Sequence, residues 1–513
     1  MAHSSAMAAA GVLCMGDGSV QVFGGLDPAA GYCVTNSAPQ PLPCTRPTAV
    51  ITRYWTDNGR PVREKKVLSA DIGPYTGAFV TDDGEVFGFG LGTVAGHPTG
   101  GHGLGHSGNV DVPTRLRGGL ERERAVLVRM GSIFGIALTQ EGHVWSFGTS
   151  RSGQLGTGVM ATKVWSAERD VVSNAADNAE TVWDTADAEV AQAAWGHAAV
   201  LGPTLLSGAL RNHKVAHVSC GAMHTVVCTH SGRALSWGMN EVGQLGLGHT
   251  RNCCEPTLIE GALGEETVVF TASSCLHNAV VTLKNEVWVW GLGAHGQLGL
   301  GRGPVHFLTT PERVPNVFNA FAVSCHETIT YALQKRRGRG EVWVWGRGHF
   351  TGLDKGMKMP LGIGGYSQAL KPTRICGALA SESITSISCG RFHVSVVSET
   401  GAVFTWGRGK VKMDDEEDDS VAYCGAHGHG EEDVLVPRLL THADGQPLAP
   451  VGRLRPLAQD MALALACASH PRLGAASPAR VLMPEVLRHI VSAARAGPAG
   501  LSSGVVRQLG GTF

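Results

Sequence analysis

The sequence has little charge and no long apolar run. Only 17% of its 513 residues are Asp, Glu, Lys or Arg, and the formal net charge is −1. Domains that bind DNA or RNA usually carry a basic patch or stripe, so direct nucleic-acid binding is not expected. No run of about 18 apolar residues is present, so no membrane-spanning helix is predicted. The polar start MAHSSAMAAAGVLCMGDG does not resemble a secretory signal, which predicts an intracellular protein, cytoplasmic and/or nuclear.

Motifs of common enzyme sites are also missing. The chain has no GxSxG, HExxH or Walker loop and no CxxC pair, and its Gly-x-Gly strings follow strands but precede turns instead of helices. The 13 cysteines are scattered and are predicted to be small buried apolar groups rather than disulfides. We therefore expect no enzyme, no bound cofactor and no metal site.

Glycine is what the sequence has in excess. The 70 glycines accompany 43% hydrophobic residues. Intrinsic disorder requires more charge and fewer apolar residues than this. The combination predicts a folded protein with many tight turns between short strands.

A strand-like segment that ends in an aromatic residue and glycine recurs along the chain. From Gly238 to Gly291 the step is 53 residues, and the longest step, from Gly148 to Gly238, is 90 residues. A period in the low fifties with loop insertions indicates a repeat architecture. The seven copies end at Gly24, Gly90, Gly148, Gly238, Gly291, Gly346 and Gly407.

Each repeat supplies about four short strands. Alternating apolar residues before Ser-Gly or Glu-Gly turns predict a hairpin, and a Gly-rich turn follows it, as in GQLGLG at 243–248 and 296–301. Four-stranded antiparallel units can close radially into a propeller, whereas a linear solenoid needs polar caps, which neither end resembles. We predict an all-β fold, a seven-bladed β-propeller of four-stranded antiparallel blades with a short helical C-terminal tail.

The GQLGLG turn, the VWxWG strand and the SCGxxHT-type strand together resemble the regulator-of-chromosome-condensation repeat family over roughly residues 10–450. The resemblance implies a seven-bladed propeller. From the founding member of the family it also implies guanine-nucleotide exchange on a small GTPase as one function to test.

Several histidines, cysteines and tryptophans recur at fixed repeat positions. A ring of metal ligands is one interpretation of the cysteines and histidines. Equivalent positions on different blades are too far apart for one ion, so we interpret them as framework residues. The tryptophan pairs, two residues apart, are predicted to pack between blades. These positions are Cys220, Cys325, Cys389, His224, His277, His393, Trp288, Trp290, Trp343 and Trp345.

Three departures from the repeat fall inside the propeller. The insertion at about 159–202 carries Trp165, Trp183 and Trp195, which are candidate partner-binding residues, or else the insertion covers the propeller. In the founding member a projecting β-wedge helps to expel nucleotide from a GTPase. This insertion is a candidate for such a part.

The other two departures are charged. The segment at about 410–433 contains the acidic block Asp414–Asp419 together with His427 and His429, and is predicted to be a solvated loop rather than a cation site. The KRRGRG run at 335–340 could contact phosphate or mark nuclear import, or it could simply lengthen a turn.

The pattern changes after residue 452. Residues 1–452 are predicted to form the propeller and residues 453–513 a helical tail. In this tail Leu487 and Ile490 belong to an apolar stripe at helical spacing. The tail resembles the SOCS box or F-box modules that dock onto cullin–RING ubiquitin ligase adaptors, with Leu463 and Cys467 at the adaptor-binding start. Pro471 departs from that pattern, and a helix packed on the propeller is the alternative.

The leading hypothesis is a protein–protein interaction scaffold with one or more protein partners. Guanine-nucleotide exchange and substrate reception for a cullin–RING ligase are the alternatives.

Overall fold

A computed structural model describes the chain mainly between residues 67 and 440. Before residue 67 only strands are described, and residues from 441 onward lie outside the described part. Between 67 and 440 the gaps are at 74, 95–96, 99, 159–199, 209, 303–304, 349–358, 367, 391–392, 409, 413–420, 425–428 and 430–431.

Seven sheets of three or more strands follow one another along the described part of the chain, besides the two-stranded hairpins β9–β10 and β31–β32, and we number them sheet 1 to sheet 7. Sheet 1 has three strands. Sheet 2 has a four-stranded unit, β6-β7-β8-β11, and the short strand β4 adds to its outer edge in parallel with β11. The strands of this part are β1 (Gly11–Cys14), β2 (Val20–Gly24), β3 (Cys44–Val50), β4 (Thr56–Asp57), β5 (Arg60–Pro61), β6 (Val67–Ile72), β7 (Thr76–Thr81), β8 (Val86–Gly90), β9 (Thr93–Val94), β10 (His97–Pro98) and β11 (Val110–Arg115).

Sheets 3, 4 and 5 each have four strands in chain order. Their second strands are buried along their whole length because neighbouring sheets cover both faces. Their strands are β12 (Ala125–Met130), β13 (Phe134–Thr139), β14 (Val144–Thr149), β15 (Val200–Leu205), β16 (Val215–Cys220), β17 (His224–Thr229), β18 (Ala234–Gly238), β19 (Cys253–Leu258), β20 (Val268–Ser273), β21 (His277–Thr282), β22 (Val287–Leu292) and β23 (Phe307–Arg313).

Sheets 6 and 7 repeat the same order, and the outer strand of sheet 7, β33, follows the small hairpin β31–β32. Three short 3-10 helices, Gly119–Arg122, Gly261–Glu265 and Gly377–Leu379, join an outer strand to the first strand of the next sheet. The strands are β24 (Ala320–His326), β25 (Ile329–Arg336), β26 (Arg339–Gly346), β27 (Ala369–Arg374), β28 (Ile384–Cys389), β29 (His393–Ser398), β30 (Val403–Gly407), β31 (Lys410–Lys412), β32 (Val421–Cys424) and β33 (Val434–Leu439).

The first strands of successive sheets contact one another, from β6 through β12, β16, β20 and β24 to β28. Sheets 2 to 7 are therefore arranged as the blades of a propeller, with the first strand of each blade innermost. Side chains of one inner strand reach the backbone of the next. Asp71 Oδ2 accepts a hydrogen bond of 2.9 Å from the Met130 backbone N–H, which joins sheet 2 to sheet 3.

Glycines of the Gly-rich turns allow tryptophans of the next blade to pack closely. Trp290 is fully buried, and its Nε1–H donates to the backbone O of Gln244 at 2.9 Å. A Cβ added to Gly246, whose φ is +70°, would lie 3.0 Å from that indole nitrogen. The backbone conformation and the close approach therefore both require glycine here.

The prediction of seven four-stranded blades is wrong in its count. The described residues form six four-stranded blades, and sheet 1 has only three strands. In sheet 1, β2 is the strand that ends in aromatic-Gly, and the segment before β1 is MAHSSAMAAA. That segment has no β-branched or aromatic residue, so the repeat signal for a fourth strand is absent from it.

No α-helix occurs in the ranges that the structure describes. The predicted helical tail at 453–513 lies outside those ranges, so this part of the prediction remains an expectation. None of the helices in the described part of the chain has the length and apolarity that a membrane crossing requires.

Candidate functional site

The hairpin of sheet 6 is longer than its counterparts. Strands β25 and β26 have eight residues each, whereas the second and third strands of the other five blades have five or six. The additional pairs are Lys335 with Gly340 and Arg336 with Arg339. Two more residues per strand extend the hairpin by about 7 Å. The KRRGRG run therefore forms the projecting tip of a regular hairpin.

The turn at this tip has an unusual residue in a left-handed conformation. Arg337 has φ 51° and Gly338 has φ 79°. Two residues with positive φ form the two-residue turn that suits a hairpin, and Asn or Gly normally occupies the first position. In sheet 5 the hairpin turn has Asn285 with φ 61°. Arg337 therefore holds a strained backbone conformation at the most projecting point of the blade.

The tip is exposed and carries four positive charges. Lys335, Arg336, Arg337 and Arg339 are all exposed. Within the described part of the chain, no ion pair joins any of these four side chains to an acidic residue. Arg336 and Arg339 are directly opposite each other in the register, and like charges in that arrangement repel. An anion placed between them would relieve this repulsion.

A cleft of about 560 Å³ lies beside the tip. Arg374, on the outer strand β27, forms a 2.9 Å ion pair with Glu341, and their side chains are 34% and 13% exposed. Four arginines outnumber two glutamates, so the lining is positive overall. The lining residues are Arg336, Arg337, Arg339, Glu341, Arg374, Ala380 and Glu382.

The tip is fixed against sheet 7 at its last residue, Gly340. The backbone N–H of Gly340 donates to Ser383 Oγ at 3.2 Å. A Cβ added to Gly340 would lie 1.9 Å from the Ile384 carbonyl oxygen, so no side chain fits at that contact. The cleft therefore has one wall from β25–β26 and β27 and another from the loop that leads into β28.

An exposed aromatic side chain lies on the other side of the hairpin. Phe318 is 60% exposed, more than any other large apolar residue in the described ranges. Its neighbour Asn319 accepts a hydrogen bond from the Lys335 backbone N–H at 2.9 Å. A basic tip with an apolar neighbour is typical of a protein-binding surface, in which arginine and aromatic residues are enriched.

The repeat histidines occupy a different environment. His224 is fully buried, and its Nε2 lies 2.8 Å from Asn278 Oδ1. Because the Asn278 amide nitrogen donates to the Gln244 backbone O at 2.7 Å, its oxygen faces His224, which must donate through Nε2. Burial lowers the pKa of His224 to about 4, and the Asn278 contact opposes this only partly. His224 therefore joins sheet 4 to sheet 5 as a neutral side chain.

His277 behaves in the same way. His277 Nε2 lies 2.8 Å from Thr330 Oγ1 of sheet 6, and burial lowers the pKa of His277 to about 3. Burial also raises the pKa of the Cys220, Cys325 and Cys389 thiols. No group of three or more His, Cys, Asp or Glu side chains in the described ranges is placed to hold a metal ion.

Most of the sequence-predicted site residues lie outside the described residues, and the structure does not test them. Of the segment at about 410–433, His429 is described, and its Nε2 is hydrogen-bonded to Thr405 Oγ1 at 2.9 Å. The basic tip, by contrast, is described and lines a cleft that the sequence did not reveal. The undescribed residues are Trp165, Trp183, Trp195, Leu463, Cys467, Leu487 and Ile490, together with Asp414–Asp419 and His427.

Comparison with family profiles identifies the repeat. Residues 231–281 and 284–333 match the Regulator of chromosome condensation (RCC1) repeat, and residues 215–244 match a second profile of the same repeat. These segments cover sheets 4 and 5 and the start of sheet 6, as far as β25, and they contain both GQLGLG turns.

Curated relatives are similar over part of their length. The Ultraviolet-B receptor UVR8 of Arabidopsis thaliana is 32% identical over 246 residues, 46% of this chain and 48% of that protein. The Secretion-regulating guanine nucleotide exchange factor of Mus musculus is 33% identical over 207 residues, 39% of this chain and 42% of that protein. The E3 ubiquitin-protein ligase HERC2 of Mus musculus is 27% identical over 55% of this chain. The chain spans less than half of each relative, and only 6% of HERC2.

Two solved structures share the fold. Prp20p from Saccharomyces cerevisiae matches with a TM-score of 0.58 at 17% identity, covering 88% of this chain and 96% of that one. Human WBSCR16 matches with a TM-score of 0.58 at 20% identity, covering 82% and 94%. At these identities the likeness shows a common propeller fold.

Proposed function

We propose that this chain, which carries regulator-of-chromosome-condensation repeats on a β-propeller, is a protein–protein interaction scaffold that holds a partner at the basic tip of sheet 6. The observation that carries the proposal is the tip itself, a hairpin longer than those of the other blades with four exposed cations that no acidic side chain among the described residues pairs with. A surface of this kind is costly to keep unless a partner uses it, because its like charges repel.

The repeat framework supports this role mechanically. The tip rests on two strands whose other portions are buried, and Gly340 at the end of the tip donates a hydrogen bond to Ser383. Binding groups on a rigid element lose little conformational entropy when a partner binds. Phe318 adds an apolar contact beside the charged ones.

The test is quantitative affinity capture with mass spectrometry. A tip variant, Arg336→Gln with Arg337→Asn and Arg339→Gln, removes three charges and leaves a residue that tolerates positive φ in the turn. The control variant removes three exposed arginines elsewhere, Arg122→Gln, Arg211→Gln and Arg251→Gln. We expect partners that the wild-type chain and the control retain and the tip variant loses. Identical partner lists for all three would contradict the proposal.

Guanine-nucleotide exchange is the second candidate, favoured by the 33% identity to the mouse exchange factor over 207 residues. This activity is regulatory and needs no covalent chemistry from the chain. It predicts faster release of labelled nucleotide from a small GTPase when the chain is added. An unchanged rate of nucleotide release across a panel of GTPases would exclude this candidate function.

We further propose the division into a propeller at 1–452 and a tail at 453–513. A truncated chain that ends at residue 452 tests the remaining alternative, in which this protein is a substrate receptor of a cullin–RING ligase. That alternative predicts capture of a cullin adaptor by the full chain alone. The match to HERC2 does not favour it, since this chain corresponds to 6% of that ligase.

A further inference from the structure

We infer that the cleft beside the sheet-6 tip binds a carboxylate-rich peptide segment of the partner protein. The inference rests on the proposed scaffold function and adds the chemistry of the ligand. It follows from the donors that line the cleft, from the acidic groups among them and from the fixed geometry of its walls.

The donors suit carboxylates. Arg336 and Arg339 are paired across the hairpin, so their side chains leave the same face of the sheet and can hold one anion between them. Guanidinium groups bind carboxylates through two parallel hydrogen bonds, which adds geometric specificity to the charge. The Arg337 side chain lies on the same cleft.

The acidic groups in the lining favour a peptide over a polynucleotide. Glu341 and Glu382 line the same cleft as the arginines, and Glu341 already pairs with Arg374. A nucleic acid carries a negative charge at every phosphate, so some phosphates would face these carboxylates. A peptide alternates acidic side chains with backbone N–H groups, which can donate to Glu341 and Glu382.

The overall charge agrees with this choice. The chain has a formal net charge of −1, so no broad positive field draws a polynucleotide along the surface. The arginines that line the cleft come from one hairpin and β27, a width that suits a short segment. Phe318, on the other side of the hairpin, is available to an apolar residue that flanks the acidic segment.

The experiment measures fluorescence anisotropy of a labelled hexaglutamate peptide with the full chain at low salt. Hexaglutamine is the neutral control, and an oligothymidylate of the same charge is the nucleic-acid probe. We expect hexaglutamate to bind the wild type and the control variant equally, and the tip variant about tenfold more weakly, which corresponds to about 0.5 kcal/mol for each lost exposed pair. Replacing Arg336 and Arg339 by Lys keeps the charge and is expected to restore only part of the affinity.

Three results would overturn the inference. The first is that the wild type and the tip variant bind hexaglutamate equally. The second is that the control variant loses as much hexaglutamate affinity as the tip variant. The third is that the oligothymidylate binds more tightly than hexaglutamate and depends on the tip. Melting temperatures of the variants check that each one is folded. If a captured partner depends on the tip but hexaglutamate does not displace it, the scaffold proposal stands and the acidic ligand is wrong.

Discussion

Three buried histidines, His217, His224 and His277, each contact a side chain of the next blade, and they couple the stability of the propeller to pH. Burial lowers the pKa of His217 to about 3, with nearby Arg129 adding to the effect, and it lowers the pKa values of His224 and His277 to about 4 and about 3. In an unfolded chain each of these side chains has a pKa near 6.5. Between pH 6.5 and these lower values, the unfolded chain therefore binds more protons than the native protein.

The sign and size of the effect follow from this difference. The stability contributed by these neutral histidines is complete above pH 6.5 and is lost as the pH falls toward 4 and 3. At about pH 5 the loss is about 2 kcal/mol for each histidine and about 6 kcal/mol for the three together. Proteins are typically stable by about 5–15 kcal/mol, so this loss is a large share of the total. Asp71 acts in the opposite direction, because burial raises its pKa and protonation favours the native state as pH falls.

Urea unfolding curves between about pH 7.5 and about pH 5 measure the free energy of unfolding directly. His224→Gln keeps an amide donor for Asn278 and removes the titrating group. We expect this variant to lose about 2 kcal/mol less than the wild type across that interval. The slope with pH is informative even where the substitution changes stability at pH 7.5.

His306→Gln is the matched control, since His306 is exposed. Its pH dependence is expected to equal that of the wild type. The reasoning is refuted if His224→Gln loses as much stability as the wild type between these pH values, because His224 would then titrate alike in both states.

Three further predictions concern packing, hydrogen bonding and the tip. Gly246→Ala and Gly261→Ala both place a Cβ at positive φ, but only the Cβ at Gly246 meets Trp290, while nothing lies within 4 Å of the one at Gly261. In thermal or urea unfolding, Gly261→Ala should lower the free energy of unfolding by about 1–2 kcal/mol, and Gly246→Ala should lower it by about 1–3 kcal/mol more. Equal losses in the two variants would contradict the packing role of Gly246. Asn278→Ala leaves the His224 Nε2–H without its acceptor and should cost about 1–3 kcal/mol, and a loss below about 0.5 kcal/mol would show that the bridge is not needed. Arg337→Asn should raise the free energy of unfolding by about 1 kcal/mol, because Asn tolerates positive φ, and it should weaken partner binding. A lower free energy of unfolding would show that the Arg337 backbone is not strained.

The repeat could be predicted from the sequence because its signals are local. All seven predicted aromatic-Gly segments lie in strands, and the turn at Gly246 has the positive φ that its composition requires. Sheet 1 differs because MAHSSAMAAA carries no alternating pattern. The strands β4 and β5, of two residues each, are too short for any periodicity to be detected.

The cleft could not be predicted because its residues are distant in the sequence. Arg336, Arg374 and Glu382 come from a hairpin, an outer strand and a loop, and only the packing of sheet 6 against sheet 7 brings them together. The KRRGRG run alone is compatible with a lengthened turn, and nothing in the sequence shows whether its cations pair with acidic residues. The two features that mark the tip, the additional strand pairs and the left-handed conformation of Arg337, are visible only in the backbone structure.

Zero-length carbodiimide cross-linking of the full chain to its captured partner tests the central claim most directly. This reagent joins amines to carboxylates that are in contact, and Lys335 supplies an exposed amine within the tip. Our account predicts cross-linked peptides that join Lys335 to Asp or Glu residues of the partner, and their loss in the tip variant. Cross-links that involve only lysines elsewhere, such as Lys214 or Lys284, would contradict it.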